Sequence, residues 1–341
     1  MPRRLVPLSR LRLATVLPLL SAVAATSVMA ATPAQAAQVT CRVNGVDVTG
    51  STIYGTAGDD EIVCHAVPSG VTVNGREGDD TITVNATVGY VAGNVVGNRG
   101  EVNGGPGDDT ITVQGGVGSP DGKSGRSGNT GEIYGGGGKD KVTVRGGGGA
   151  RGKSDGDSLF GCGNGGRGGD GNDGRISAGG EISVFGGQGG EGGTSLGRAS
   201  DCDGGKGGDG NNSRIIGTGV GSKVFAVGGA GGKGVAGGEG GDGGIGNDGH
   251  ITVEVGAPDT VAVNANGGEG GKGGPFGGGG EGGDGNNRTI DILEAGTGFV
   301  RGGDGGNGRP PGAGGKGNDG KVNTTPKGNY EAPGGTPGTA T

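Results

Sequence analysis

Short alternations of apolar and polar residues recur along this chain, each entered through a glycine-rich turn. Glu61–Cys64, Thr81–Val84, Thr110–Val113 and Lys141–Val144 each place an apolar side chain at every second position: Ile62/Cys64, Ile82/Val84, Ile111/Val113 and Val142/Val144. Period two predicts short strands with one buried face and one solvated face. The alternation continues at Ile182/Val184, Val224/Ala226 and Val261/Val263, with glycine tracts such as Gly186–Gly193 (GGQGGEGG) following.

A longer repeat frames these strands. GNRGEV at Gly97, GNTGEI at Gly128 and GNDGRI at Gly171 share one pattern, and GNNSRI at Gly210, GNDGHI at Gly246, GNNRTI at Gly285 and GNDGKV at Gly317 continue it at intervals of 31 to 43 residues. Each unit reads as a turn, two short strands and a glycine-rich return. Such units are too small to bury a core alone, so stacking into a solenoid is expected.

Composition narrows how the returns can pack. Of 341 residues 99 are glycine, none is tryptophan and 3% are aromatic, which excludes an ordinary globular core and leaves disorder, a fibrous array or a solenoid. Within the returns glycine fills two positions of every three. A threefold helix of the polyproline-II type then puts every third residue on one face, and glycine lets neighbours approach. A flexible linker is the other reading of any single tract, but the regular return of GNxG argues for an ordered array. These GGx tracts resemble in composition the glycine-rich PGRS surface proteins of mycobacteria and some antifreeze and phage adhesin proteins.

The formal charge is −7, and the four basic residues of the first 37 (Arg3, Arg4, Arg10 and Arg12) precede an apolar run from Leu13 to Val28 and a small-residue AQA site at Ala34–Ala36. This pattern predicts a secretory signal over 1–37, whose removal leaves a more acidic mature chain. No later segment is apolar enough to span a membrane. An acidic exported chain is a poor nucleic-acid ligand and a reasonable cation ligand.

GTAGDDEIVC at Gly55, GREGDDTITV at Gly75, GGPGDDTITV at Gly104 and GGGGKDKVTV at Gly135 fit the nine-residue pattern G-G-x-G-x-D-x-U-x, with Thr56 and Arg76 in place of the second glycine in the first two. The stretch resembles hemolysin-type (RTX) calcium-binding repeats. The resemblance implies calcium held by the carboxylates of Asp60, Asp80, Asp109 and Asp140 and by backbone oxygens freed at the turns of Gly58, Gly78 and Gly107. The spacing departs from the family: the motif glycines lie 20 to 31 residues apart instead of nine, which fits one calcium-type turn per coil. Lys139 and Lys141 flank Asp140 and weaken the last site. The plainer reading is that GDD makes polar turns before strands. From the third GNxG unit onward the GxD turn is lost.

Cys162 and Cys202 occupy nearly the same place in successive units, eight or nine residues before a GNxG glycine. Stacked strands are about 4.8 Å apart, within disulfide reach. Cys162–Cys202 is therefore expected, and by elimination Cys41–Cys64, as structural staples of an oxidising exterior.

Other chemistry is thin. GGGARGKS, Gly147–Ser154, matches a phosphate-loop pattern, yet no helical periodicity follows it. His65 and His250 are far apart and read as surface residues of their turns. A polysaccharide lyase on a β-helix would need clustered acids and stacking aromatics. The acidic series Asp170, Asp209, Asp242 and Asp284 reads as a charge ladder, or as a row of weak cation sites.

The expectation is an all-β parallel solenoid of the β-helix or β-roll type with polyglycine-II-like returns. It divides into a signal at 1–37, a calcium-binding roll at 38–145, a glycine-rich solenoid at 146–322 and a disordered tail at 323–341. The expected function is non-catalytic: a secreted chain that binds calcium ions between stacked turns, with a cell-surface or matrix partner. The alternative is an extracellular structural or adhesive protein in which calcium is incidental.

Overall fold

The computed structural model describes residues 37–87, 95–120, 122–154, 161–194, 201–255, 261–293, 296–325 and 329–340. The expected signal segment, up to residue 36, lies outside them. Ala36–Thr341 form one compact unit. After a hairpin of β1 (Val39–Val43) and β2 (Val46–Gly50), the chain lays down strands in pairs, one pair per coil. The first pairs are β3 (Thr52–Tyr54) with β4 (Glu61–Cys64), β5 (Thr72–Asn74) with β6 (Thr81–Asn85), β7 (Glu101–Pro106) with β8 (Thr110–Gln114), and β9 (Glu132–Gly137) with β10 (Lys141–Arg145). In the next two coils both strands fuse into one, β11 (Arg175–Phe185) and β12 (Arg214–Val227). Three pairs follow: β13 (His250–Val255) with β14 (Val261–Asn266), β15 (Thr289–Ile292) with β16 (Thr297–Arg301), and β17 (Lys321–Thr324) with β18 (Asn329–Glu331).

From β3 onward each strand pairs in parallel with its counterpart one coil away, so the chain is the expected β-solenoid. The register stacks like residues. Ile62 lies opposite Ile82, Ile82 opposite Ile111, and Ile111 opposite Val142. Ile53, Val73, Val102, Ile133, Ile176, Ile215, Ile251 and Ile290 form the facing column, each fully buried. The two columns meet as a thin aliphatic core. The register runs from β10 into β11 unbroken, so the regions 38–145 and 146–322 share one stack.

A third column comes from the GNxG turns. Asn98, Asn129, Asn172, Asn211, Asn247 and Asn286 are 0% exposed. Each amide donates to the next coil's asparagine Oδ1 at 2.6–2.8 Å, ending on Asn318. The amides of Asn172, Asn211, Asn247 and Asn286 also donate to the carbonyl two residues on. A buried amide with both functions satisfied is stable, whereas an orphaned one costs about 1–3 kcal/mol.

Behind the strands, each return of the later coils is two antiparallel glycine segments. In Gly186–Gly193, the N–H groups of Gly186, Gly189 and Gly192 donate to Val227, Ala230 and Lys233 of the next coil. Those of Gly187, Gly190 and Gly193 donate to Gly169, Gly166 and Gly163 of the other layer. This threefold pattern is that of a polyglycine II array, and it repeats coil after coil. A Cβ on Gly208 would strike the backbone of Gly169, which is why the lattice demands glycine. The third residue of each triplet points outward.

The tail departs from expectation. β18 pairs with β16, and Gly335 and Gly338 donate to the carbonyls of Gly315 and Gly312. Two glycines at the right spacing suffice to join the lattice, although the stretch looks like a Pro/Thr linker.

The aspartate corner as candidate functional site

The four GxD turns stack at the corner between the two strands of each coil. Gly78, Gly107 and Gly138 have φ of +114°, +146° and +132°, a backbone that other residues rarely adopt. Gly58 has open space around it and no such conformation. A Cβ on Gly55, Gly75, Gly104 or Gly135 would strike the carboxylate of its own turn's aspartate, so the motif's first glycine makes room for that group.

Asp60, Asp80, Asp109 and Asp140 are 1–3% exposed and form one file. The backbone N–H of Asp60 donates to Asp80 Oδ1 at 2.9 Å, that of Asp80 to Asp109 Oδ1 at 2.8 Å, and that of Asp109 to Asp140 Oδ1 at 3.3 Å. The adjacent acids run the other way. Asp79 N–H donates to Asp59 Oδ1 and Asp108 N–H to Asp79 Oδ1, both at 2.8 Å, and Lys139 N–H donates to Asp108 Oδ1 at 2.7 Å. The GDD pair therefore has a use for both members: the inner carboxylate takes an N–H from the preceding coil, the outer one from the following coil. Lys139 and Lys141 of the last turn cost the file nothing, because only Asp140 faces inward.

The ends of the file are closed by the chain. Asp60 receives the Thr56 N–H at 2.6 Å, the Thr56 hydroxyl and the Asn44 amide. Asp140 Oδ2 receives the Gly179 N–H at 3.2 Å, from the first coil without the motif. In the middle, Asp80 Oδ2 and Asp109 Oδ2 are buried with no partner. Each faces the α-carbon of its turn's first glycine, Gly75 for Asp80 and Gly104 for Asp109, where a backbone oxygen of the next coil also approaches. A buried carboxylate oxygen without a donor calls for a proton or a cation.

Titration follows this geometry. Burial, with the charges of Asp80, Asp140 and Asp79 against it, pushes Asp109 up to about 7 despite the Asp80 N–H bond. Burial also raises Asp80 and Asp140. At Asp60 burial pushes upward, but hydrogen bonds from Thr56 and Asn44 prevail and its carboxyl is held low.

For calcium, which takes six to eight oxygens, the residues fit in part. Every Oδ1 of the inner file accepts a hydrogen bond, both oxygens of Asp60 and of Asp140 do so, and no group of three or more metal-binding side chains assembles among the described residues. Within the file, Asp80 and Asp109 alone retain a buried oxygen without a hydrogen bond. The glycines at 78 and 107 are accounted for by turn geometry and close packing, whereas neither requires glycine at 58.

The later acidic series does the corner's work again. Asp170 Oδ1 accepts the Asp209 N–H at 2.8 Å, Asp209 Oδ1 the Ile245 N–H at 2.7 Å, Asp242 Oδ1 the Glu281 N–H at 3.1 Å, and Asp284 Oδ1 the Lys316 N–H at 2.7 Å. Arg167 bridges Asp170 and Asp209 at 2.8 and 2.9 Å. Burial raises Asp170 to about 6, opposed by the Asp209 N–H and Arg167. Sequence reading placed these acids on one face but missed their bond, whose signal is Asp or Asn at the third position of a GGx triplet.

The remaining candidates also find places. Cys41 pairs with Cys64 across antiparallel β1 and β4, with Cα atoms 4.4 Å apart, and Cys162 pairs with Cys202 at 6.0 Å. The phosphate-loop match lies in the glycine lattice, where the N–H groups of Gly147, Gly149 and Gly152 are spent on Arg126, Gln188 and Glu191. His250 Nε2 is 2.8 Å from Asp291 Oδ2 on the sheet surface. His65, with Glu61, Arg42 and Asp47, lines an open depression of about 600 Å³ that no tyrosine or phenylalanine borders. No helix among the described residues is long and apolar enough to cross a membrane. No family model, curated protein or solved structure matches the chain.

Proposed function

We propose that this chain is a secreted, non-catalytic structural solenoid, a stiff extracellular module for a surface or matrix. The observation that carries the reading is the closure of the coils by the chain's own groups. Asparagine, aspartate and glycine columns satisfy the backbone from coil to coil, so stacking needs no ion. Two disulfides fit an oxidising exterior.

Calcium takes a narrower place in this proposal than the repeats imply. The free oxygens of Asp80 and Asp109 favour one cation locus in the middle of the file. A site with Kd of about 0.1 mM in about 1 mM calcium adds roughly 1.4 kcal/mol. That is support for a fold already formed. The test is thermal unfolding of the mature protein, followed by circular dichroism, in chelator and in 2 mM calcium as a rough extracellular level. A β-spectrum that persists in chelator, with a calcium-dependent rise in Tm absent from Asp80→Asn/Asp109→Asn, is expected. Loss of the β-spectrum in chelator would replace this reading with obligate calcium folding.

A further inference from the structure

The glycine lattice ends on residues that break its rule. In each layer the first residue of a triplet donates its N–H to the next coil, and at Gly186, Gly189, Gly192, Gly228, Gly231, Gly234, Gly267, Gly270, Gly273, Gly302, Gly305 and Gly308 that residue is always glycine. A Cβ there would collide with segments laid down later: on Gly186 it would meet the Gly208 carbonyl and the Gly229 N–H.

The final segment of the lattice, 333–340, has its register fixed. Pro333, Thr336 and Thr339 carbonyls accept from Gly302, Gly305 and Gly308, while Gly335 and Gly338 donate to the other layer. The first positions are therefore Gly334, Pro337 and Ala340. Proline has no N–H to offer a following segment. At Gly334 a Cβ would meet nothing closer than 3.5 Å, because no described segment follows. In the other layer the carbonyls of Pro310, Ala313 and Lys316 accept from Gly279, Gly282 and Gly285, so the same positions are Pro311, Gly314 and Gly317, of which Pro311 alone breaks the rule. The strand edges beside this end, β17 and β18, are four and three residues long, another device against edge pairing.

We infer that Pro337 and Ala340, with Pro311, close this end of the described lattice to a further polyglycine II segment, the partner being a second copy of this chain. The two N–H groups deleted and the three Cβ atoms added stand where that segment would dock. Without them, the end presents the same donors that hold every internal coil and is a template for association.

The experiment is light scattering coupled to size exclusion on the full mature chain and on Pro337→Gly/Ala340→Gly, over about a hundredfold range of concentration. The wild type is expected to elute as a monomer throughout, and the double variant to show concentration-dependent dimers or longer species with an unchanged far-UV spectrum. Pro337→Ala restores the N–H but keeps a Cβ, and is expected to stay monomeric. Both substitutions replace exposed residues; should the double variant misfold, Pro337→Gly alone is read the same way. A glycine variant that stays monomeric while folded would overturn the inference. So would wild-type association that is lost when residues 333–340 are removed.

Discussion

The coils before and after residue 146 share strands, aliphatic columns and the asparagine ladder, yet close in different ways. In the first coils a carboxylate reaches from one turn to the backbone of the next, which leaves four buried acids in file. In the later coils the corner is lost, the strands fuse into β11 and β12, and glycine backbones pack on each other behind them. Asp140 marks the joint, with one oxygen on Asp109 and the other on Gly179. The difference teaches that both regions solve one problem, the unpaired N–H of a turn or return, by carboxylate in one case and chiefly by carbonyl in the other. The carboxylate solution brings a charge problem that the glycine solution avoids.

The largest effect is expected where the regions share a device. Asn211→Ala strips the acceptor from the Asn172 amide and the Ser213 N–H and a donor from Asn247, at about 3–4 kcal/mol. Denaturant unfolding should show it as a lowered midpoint; an unchanged midpoint would mean that water replaces the ladder. Gly208→Ala confines the damage to the later coils, because its methyl would land on Gly169, at about 3 kcal/mol. Hydrogen exchange should then rise across the glycine segments and leave Ile62, Ile82 and Ile111 protected. Equal loss in both regions would show that they unfold as one.

Asp109→Asn addresses the first coils alone. Its amide can still accept the Asp80 N–H and removes the charge from the unpartnered buried oxygen, so a gain of about 1–2 kcal/mol is expected at pH 8. The sign follows from linkage. A carboxyl raised from 3.8 to about 7 in the folded state holds its proton more tightly than in the unfolded chain. Its contribution to stability is full below pH 3.8, falls as pH rises toward 7, and is flat above. The gain from Asn should therefore grow between pH 4 and 7, approximately the window of that shift, as read by melting at a series of pH values. A pH-independent gain would remove ionisation from the account. The smallest effect is expected at Gly148→Ala, an outward third position whose nearest neighbour to a Cβ is 3.8 Å away; its stability should stay within about 0.5 kcal/mol. A large loss there would mean that outward positions also require glycine.

Much of the corner was legible from residue types. The aspartates at the sixth motif position, the apolar residues two and four further on, and the Cys162–Cys202 pair follow from period two and from the repeat interval, because a stacked coil puts equal positions in contact; Cys41–Cys64 followed only by elimination. The threefold face of the glycine tracts was equally legible, since only glycine at two of three positions permits that packing. What the repeat could not reveal was the direction of each carboxylate. GGxGxD offers the same residues to an ion or to a neighbouring N–H, and only the height of one coil over the next decides between them.

The sequence by itself determined a stacked, thin-cored all-β chain, because its units bury no core alone and its glycine content forbids another kind. The tertiary structure alone decided which polar groups close the stack. It turned the GNxG asparagines into a buried ladder, and it left one oxygen free on Asp80 and on Asp109 and none on Asp60 or Asp140. It also drew the tail into the lattice. The physical reason is that hydrogen-bond partners here lie a whole coil apart, roughly 20 to 46 residues in sequence. Whether a donor meets an acceptor then depends on register between coils, which no single repeat contains.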